Sequence, residues 1–377
     1  MEILAAIPHY GLWFLLLLTV LVFVHEMGHF LVARWCGVRV EVFSIGFGPE
    51  LLGFTDRRGT RWKISAIPLG GYVRMFGQEG NVLEGESATV MTPEEQSVAF
   101  NRKNVGQRAA IVAAGPAANY LFAIVVLAGL FLVYGKTLQS TEIGEVVQGS
   151  VAGQAGMLPG DRIVTLNGDP LESFDDLAMQ VRLHLDQPLT LGIDRGGKHL
   201  DLALKPQIVE EEDIFGNKQR IGRLGIRSSG NGQVQRLGVG AALRESTHEI
   251  YGMTTGMLTG IGQMITGKRS ADEVGGALRM AKMTGDMAQI GFASLVSLTV
   301  LLSVNLGLVN LFPVPMLDGG HLVYYAWEAL RGRPLGARAQ EWGLRVGVAF
   351  VLSLMVFATW NDLVYLKVFD YIKSLFT

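Results

Sequence analysis

His25, Glu26 and His29 follow directly on an uncharged apolar run, Tyr10–Val24, and no other feature narrows the available folds as far. Extended to Ala33, this stretch reaches the roughly 20 residues that a bilayer-spanning helix requires. On a helix, residues 25 and 29 lie one turn apart on one face. Two imidazoles placed so can hold one Zn²⁺, with Glu26 beside them as a candidate general base. Ionisable groups at membrane depth cost roughly 2.5–3.5 kcal/mol each, so three together are expected to serve a function. A His pair on a soluble helix is more often structural, and the apolar setting is what favours the metal.

Only 18% of residues are charged, below the roughly 25% of soluble domains, and 49% are hydrophobic. A net charge of −2 leaves no nucleic-acid footprint. The single cysteine, Cys36, cannot form an intrachain disulfide. It could reach zinc as a soft ligand, but its place near the expected helix end favours a passive thiol. No Lys or Arg precedes Arg34, so a cleavable signal peptide is not expected. Basic residues from Arg34 to Arg108 put that segment in the cytoplasm and the N-terminus outside.

Taken in order, residues 1–36 read as the first transmembrane helix and 37–104 as a cytoplasmic-side sheet and loop. Val38–Val42 and Thr60–Ile64 alternate at period two, with Pro68-Leu69-Gly70-Gly71 as punctuation. Such a sheet could lend an edge, including Gly70 and Gly71, to an extended peptide, or it could be a structural hairpin. Residues 77–104, with Glu79, Glu84, Glu86, Glu94 and Glu95, read as an acidic surface loop. Residues 105–136 hold the second span, in which Gly115-Pro116-Ala117-Ala118-Asn119 reads as a packed kink facing other helices.

Residues 137–228 are polar and turn-rich. Ile143–Val147, Pro159-Gly160-Asp161-Arg162-Ile163 and Leu166-Asn167-Gly168 form a string that resembles a bacterial PDZ domain, with Asp175–Leu185 as its longer helix. Such a domain would take extended peptide by strand addition. Residues 229–288 read as membrane-surface, with Leu237–Gly267 an amphipathic helix that charges at Lys268, Arg269, Asp272 and Glu273 then interrupt, and with His248 interfacial and solvated. Residues 289–321 carry the third span, Ile290–Leu317, ending in Asp318-Gly319-Gly320-His321. Asp318 is a lone carboxylate after a long apolar run; it can supply the third ligand that two histidines lack, or cap the next helix. His321 could stand behind the ligands or on a helix surface. Residues 322–377 read as a cytoplasmic loop with Arg331, Arg333, Arg338 and Arg345, then a fourth span at Val346–Asn361 anchored by Trp342, Trp360 and Tyr365.

The ordered set of His25-Glu26-Met27-Gly28-His29, Gly115–Asn119, the PDZ-like string and Asn305–Gly320 resembles a site-2 protease of the bacterial regulator-of-sigma-E protease type. The resemblance implies a mostly α, polytopic membrane protein with four transmembrane helices. It adds a small membrane-associated β-sheet and an inserted α+β PDZ domain, single here where some relatives carry two. A second departure is Gly275-Gly276-Ala277, where a Gly-Pro is common before the third span. The resemblance implies zinc on His25, His29 and Asp318 and Glu26 as the base. Asn305, Asn310, Pro313 and Pro315 would lie beside the substrate strand or the site.

The implied activity is cleavage of transmembrane segments after a first cut elsewhere, in anti-sigma factors or remnant signal peptides, as part of regulated intramembrane proteolysis. The setting would be a bacterial inner membrane, with both termini outside the cytoplasm and the PDZ domain periplasmic. The rival from another class is a membrane-tethered PDZ adaptor with a non-catalytic metal site. A metal transporter would need a polar path through several spans, whereas the ionisable residues cluster at one place.

Overall fold

The computed structural model describes residues 2–78, 91–185, 187–212 and 218–366. Two compact units emerge: residues 1–127 with 275–377, and residues 128–274. Four helices among the described residues are long and apolar enough to cross a membrane: His9–Trp35, Val105–Tyr134, Phe292–Asn310 and Arg338–Tyr365. The chain is a mostly α integral membrane protein carrying several small sheets.

In the first unit, α1 (Glu2–Trp35) is apolar on every side, as suits a helix between lipid and protein. Arg34 in its last turn complements the helix dipole, and Gly37 at φ +70° ends it. β1 (Val40–Thr55) and β2 (Arg61–Met75) are far longer than the two short alternating stretches suggest. Each bends back on itself, so Ile45 pairs with both Gly71 and Ile64, while Leu52 also pairs with Ile64. The spatial order of segments becomes 50–55, 61–65, 42–45, 71–75, with 71–75 outermost. Gly46 (φ +87°), Gly48 (φ +86°) and Gly70 (φ +136°) supply backbone turns that residues with a Cβ adopt only under strain.

The sheet is fastened to α1 by Phe30, whose ring meets Phe43 at 5.6 Å and Trp62 at 4.9 Å edge-on, while Phe43 and Trp62 stack on each other at 4.5 Å. Asp56 ties down the far turn. It accepts from the Arg58 and Thr60 N–H groups, from Trp62 Nε1 at 3.1 Å and from the Arg34 guanidinium. Burial opposes its charge, but these donors hold the carboxyl well below the usual range.

Of the expected acidic loop 77–104, residues 79–90, with Glu79, Glu84 and Glu86, lie outside the described residues. Beyond them the chain forms α2 (Pro93–Val98), a short helix because Thr92 and Glu95 make a reciprocal capping box. The second span, α3 (Val105–Tyr134), is one continuous helix with Pro116 inside it. Close packing against α1 holds it. A Cβ on Gly28 would lie 2.2 Å from the Ala114 carbonyl oxygen and 2.7 Å from Ala118 Cβ. The two backbones therefore touch, as small residues allow in membrane helices.

The second unit adds β3 (Lys136–Leu138), β4 (Ile143–Val146), α4 (Val151–Gln154), β5 (Arg162–Leu166), β6 (Asp169–Pro170), α5 (Phe174–Leu183), β7 (Leu189–Arg195) and β8 (Lys198–Leu204). β9 (Gln207–Glu212), β10 (Lys218–Arg223), β11 (Ile226–Ser228), β12 (Gln233–Gln235) and α6 (Val239–Ile265) complete it. The largest sheet is antiparallel in the order β6-β5-β7-β8, and β4 pairs with β11. Alternation in β7 sends Leu189, Leu191 and Ile193 inward to a core with Ile143, Ile163, Leu177 and Val181. Asp161 is buried and takes both Arg195 Nε and Nη2 at 2.7 Å, so Arg195 holds its carboxyl below the ordinary range.

The chain then returns to the first unit. In the region 229–288, α6 lies within the stretch expected as a helix, 237–267, and a separate helix, α7 (Ala277–Ile290), follows it. α7 starts on Gly276, which has no side chain to cap it. Asp362, fully buried on the last helix, accepts from the Gly276, Leu278 and Arg279 N–H groups at 2.8, 3.0 and 3.1 Å. A Cβ on Gly276 would stand 2.7 Å from Asp362 Oδ2, which explains the second glycine of Gly275-Gly276.

The expected span Ile290–Leu317 is shorter in the structure: α8 covers Phe292–Asn310, after a break at Gly291 (φ +146°). The turn that follows contains Pro313 and Pro315, and α9 (Asp318–Arg331) begins at the carboxylate. The stretch expected as loop after residue 322 is thus largely helical. α10 (Ala337–Tyr365) is longer than Val346–Asn361 because polar turns extend both ends of the apolar core.

Candidate metal centre

α1 sets His25 and His29 one turn apart on its inner face, both buried. Their Nε2 atoms are 3.2 Å apart. Asp318 Oδ2 lies 3.1 Å from His25 Nε2 and 3.5 Å from His29 Nε2. These are the only His, Cys, Asp or Glu side chains among the described residues grouped closely enough to hold one ion. Donors at about 2.0–2.2 Å from a tetrahedral zinc are separated by roughly 3.4 Å, and the three observed separations bracket that value. Asp318 Oδ2 is also buried without an aligned hydrogen-bond donor. The three atoms lie close enough to share one centre, and the residues fit zinc.

Capping does not account for Asp318. The N-cap of α9 is Leu317, and Asp318 is the first helical residue with no capping hydrogen bond. What brings it here is the turn before it. A Cβ on Gly319 would lie 2.2 Å from the Leu311 carbonyl oxygen, and one on Gly320 2.4 Å from that of Val314. Two glycines therefore let α9 fold back tightly onto the end of α8.

Glu26 lies beside the histidines and shares the cavity lining with Gly71, Tyr72 and Val73 of the outer sheet segment. Gly71 is close: a Cβ there would lie 2.8 Å from Val22 Cγ1 and 3.3 Å from Glu26 Cγ. The edge of 71–75, unpaired among the described residues, therefore runs along α1. Centre and edge open into one cavity of about 1000 Å³ lined by His25, Glu26, His29, Gly70, Gly71, Asn310, Asp318 and His321, and continuing to Arg108 and Glu328. That pair is joined by a 2.6 Å ion pair between α3 and α9.

Of the expected substrate contacts, Asn310, Gly70 and Gly71 line this cavity, and Asn305, Pro313 and Pro315 do not. Pro315 packs against α10, where its carbonyl oxygen would stand 1.9 Å from a Cβ on Gly347. Cys36 lies outside the metal group, against the aromatic cluster of Phe30, Phe43 and Trp62. His321 lines the cavity wall edge-on to Tyr324.

Two contributors were hidden in the sequence. Gly115 passes so near the imidazoles that a Cβ would lie 2.3 Å from His29 Nε2 and 2.9 Å from His25 Cε1. Asn119, fully buried, meets His25 Nδ1 at 3.2 Å, and His29 Nδ1 meets the Ile111 carbonyl at 2.9 Å. The only signal for either was the small-residue string Gly115–Asn119, which composition alone assigns to packing.

Comparison with known proteins is consistent across the length of the chain. The profile of "Peptidase family M50" matches residues 13–354. A protein of Agrobacterium fabrum named "Putative zinc metalloprotease" is 47% identical over 355 residues, 93% of this chain and 94% of its own. One of the same description from Rhizobium meliloti is 46% identical, over 93% and 95%. The "Metalloprotease MmpA" of Caulobacter vibrioides is 38% identical, over 96% and 97%.

Proposed function

This chain belongs to peptidase family M50 and is a membrane-embedded zinc metalloprotease acting on peptide or protein substrates; from that premise we propose that it cuts within transmembrane segments. Its zinc would be held by His25, His29 and Asp318. The observation that carries this reading is the convergence of those three side chains beside Glu26 and an unpaired strand edge, all lining one cavity.

Bound zinc supplies Lewis-acid polarisation of the scissile carbonyl and a water acidic enough to deprotonate near neutral pH. Glu26, beside the two histidines in the cavity lining, takes the water proton and returns it to the leaving amine. A helical substrate hides its carbonyls in intrahelical bonds and must unwind. The outer edge of 71–75 then offers it main-chain hydrogen bonds in an extended form, with Gly70 and Gly71 leaving room for its backbone. Asn310 is the polar side chain on the opposite wall that can bond an unwound carbonyl.

In this reading the substrates are membrane proteins shortened by an earlier cut, of the anti-sigma factor or remnant signal peptide kind. Residues 137–228, within the second unit, are a PDZ domain that receives extended peptide. The short helix α4 before the Asp161-Arg162-Ile163 strand and the longer α5 support that assignment. The setting is a bacterial inner membrane with the PDZ domain and both termini outside the cytoplasm, supported by the basic residues between Arg34 and Arg108.

The test is Glu26→Gln in detergent-solubilised full-length protein with a single-span substrate. Zinc content is expected to stay near one per chain while cleavage falls by about 10²–10⁴. Unchanged cleavage would remove Glu26 from the chemistry, and a wild-type chain that takes up no zinc would remove the ligand assignment.

A further inference from the structure

The two imidazoles differ in what stands behind them. His29 Nδ1 faces the Ile111 carbonyl, which can only accept, so that ring carries its proton on Nδ1. Its Nε2 is then free to serve as a ligand. His25 Nδ1 instead faces the Asn119 side-chain amide, with Nδ2 at 3.2 Å. Asn119 is fully buried, and its Oδ1 has no hydrogen-bond partner. Its backbone is fixed from α8, where Ser303 Oγ donates to the Asn119 carbonyl at 2.9 Å.

An amide presents a donor on one side and an acceptor on the other, and a half-turn of its terminal torsion exchanges them. With Nδ2 toward His25, the amide donates to an unprotonated Nδ1, and the ring proton sits on Nε2, facing Asp318 Oδ2 at 3.1 Å. With Oδ1 toward His25, the amide accepts from Nδ1–H and leaves Nε2 its lone pair. Only this second setting lets Nε2 bind a metal, because a ligating nitrogen must be unprotonated.

We propose that Asn119 is a positioning residue that serves both tautomers of His25 and, through Oδ1, holds the ring in the one that binds zinc. It does for His25 what the Ile111 carbonyl does for His29, but reversibly. The proposal rests on His25, His29 and Asp318 being the zinc ligands. A residue that orients a ligating histidine through its second nitrogen typically changes metal affinity by about 10–100-fold when removed.

The experiment measures zinc affinity, not turnover, in the detergent-solubilised full-length chain by competition with a chromogenic chelator. Asn119→Leu keeps the volume and removes both polar atoms, and affinity is expected to fall about 10–100-fold. Asn119→Asp offers acceptors only, which suits the Nδ1–H tautomer, so its affinity is expected to equal or exceed wild type. If the Leu variant does not fold, the Asp variant decides by itself. Affinity in Asn119→Asp reduced below wild type, or unchanged affinity in a folded Asn119→Leu, overturns the proposal. Wild-type affinity in Asp318→Ala would instead sink the ligand assignment beneath it, so the two failures are distinguishable.

Discussion

Replacing Gly115 by alanine adds one methyl group at the point where α3 passes His25 and His29. That carbon would stand 2.3 Å from His29 Nε2, 2.5 Å from His29 Cε1 and 2.9 Å from His25 Cε1. Relaxed non-bonded contacts are about 3.5 Å, so the His29 ring must retreat by about 1 Å or the helices must part by as much. Neither is easy. His29 is tied through Nδ1 to Ile111 on the same helix as Gly115, and Gly28 holds the backbones of α1 and α3 together one residue away. Metal–ligand distances tolerate only about 0.2 Å, and a 1 Å misplacement in an active site costs about 10²-fold. Gly115→Ala is therefore expected to lower zinc affinity by about a hundredfold, some 2.7 kcal/mol, with cleavage lost at limiting zinc. Gly129→Ala is the control: it lies on the same helix, and a Cβ there meets nothing within 4 Å. Zinc titration by chelator competition reads both variants. Wild-type zinc affinity in a folded Gly115→Ala would refute the claim that this glycine exists to admit the imidazoles.

Chelation should abolish cleavage in the wild type, and added zinc should restore it; activity that survives exhaustive chelation would contradict a metal-dependent mechanism. Asp362→Ala should destabilise the first unit by about 3–5 kcal/mol, since it strips three N–H groups at the start of α7 of their shared acceptor and the buried Arg279 of its opposite charge. Thermal denaturation in detergent checks this, and an unshifted midpoint would mean that α7 is capped in another way. In the second unit, the Asp161 carboxyl titrates lower folded than unfolded, so its pair with Arg195 contributes fully above the unfolded value of about 3.9. That contribution is lost as pH falls through the folded value, and Arg195→Leu should flatten the acid-side loss of stability. An identical acid limb in the variant would assign the pH dependence to other groups.

How much could be read in advance varied with how local the cause was. The His25–His29 pair needed only helix geometry, because four residues of helix fix which side chains share a face. Asp318 was legible by default: a costly lone carboxylate and a two-ligand site each lacked what the other offered. The end of α8 was legible only in part: Pro313 and Pro315 signal broken helix hydrogen bonding, but Leu311–Leu317 is as apolar as the helix before it. What stops the helix is the fold-back that Gly319 and Gly320 permit against the carbonyls of 311 and 314. Of the sheet, only the alternating stretches were visible, not the doubling-back that makes 71–75 an edge.

The amino-acid sequence by itself determined the solvent, the number of spans and the chemical types gathered for the reaction, since hydropathy and ligand preference belong to residues wherever they sit. Tertiary structure decided which glycine clears the imidazoles, which amide stands behind His25 and which strand segment is left unpaired beside Glu26. Those are properties of distances between elements far apart in the chain, and a methyl group's width at a helix crossing leaves no trace in composition.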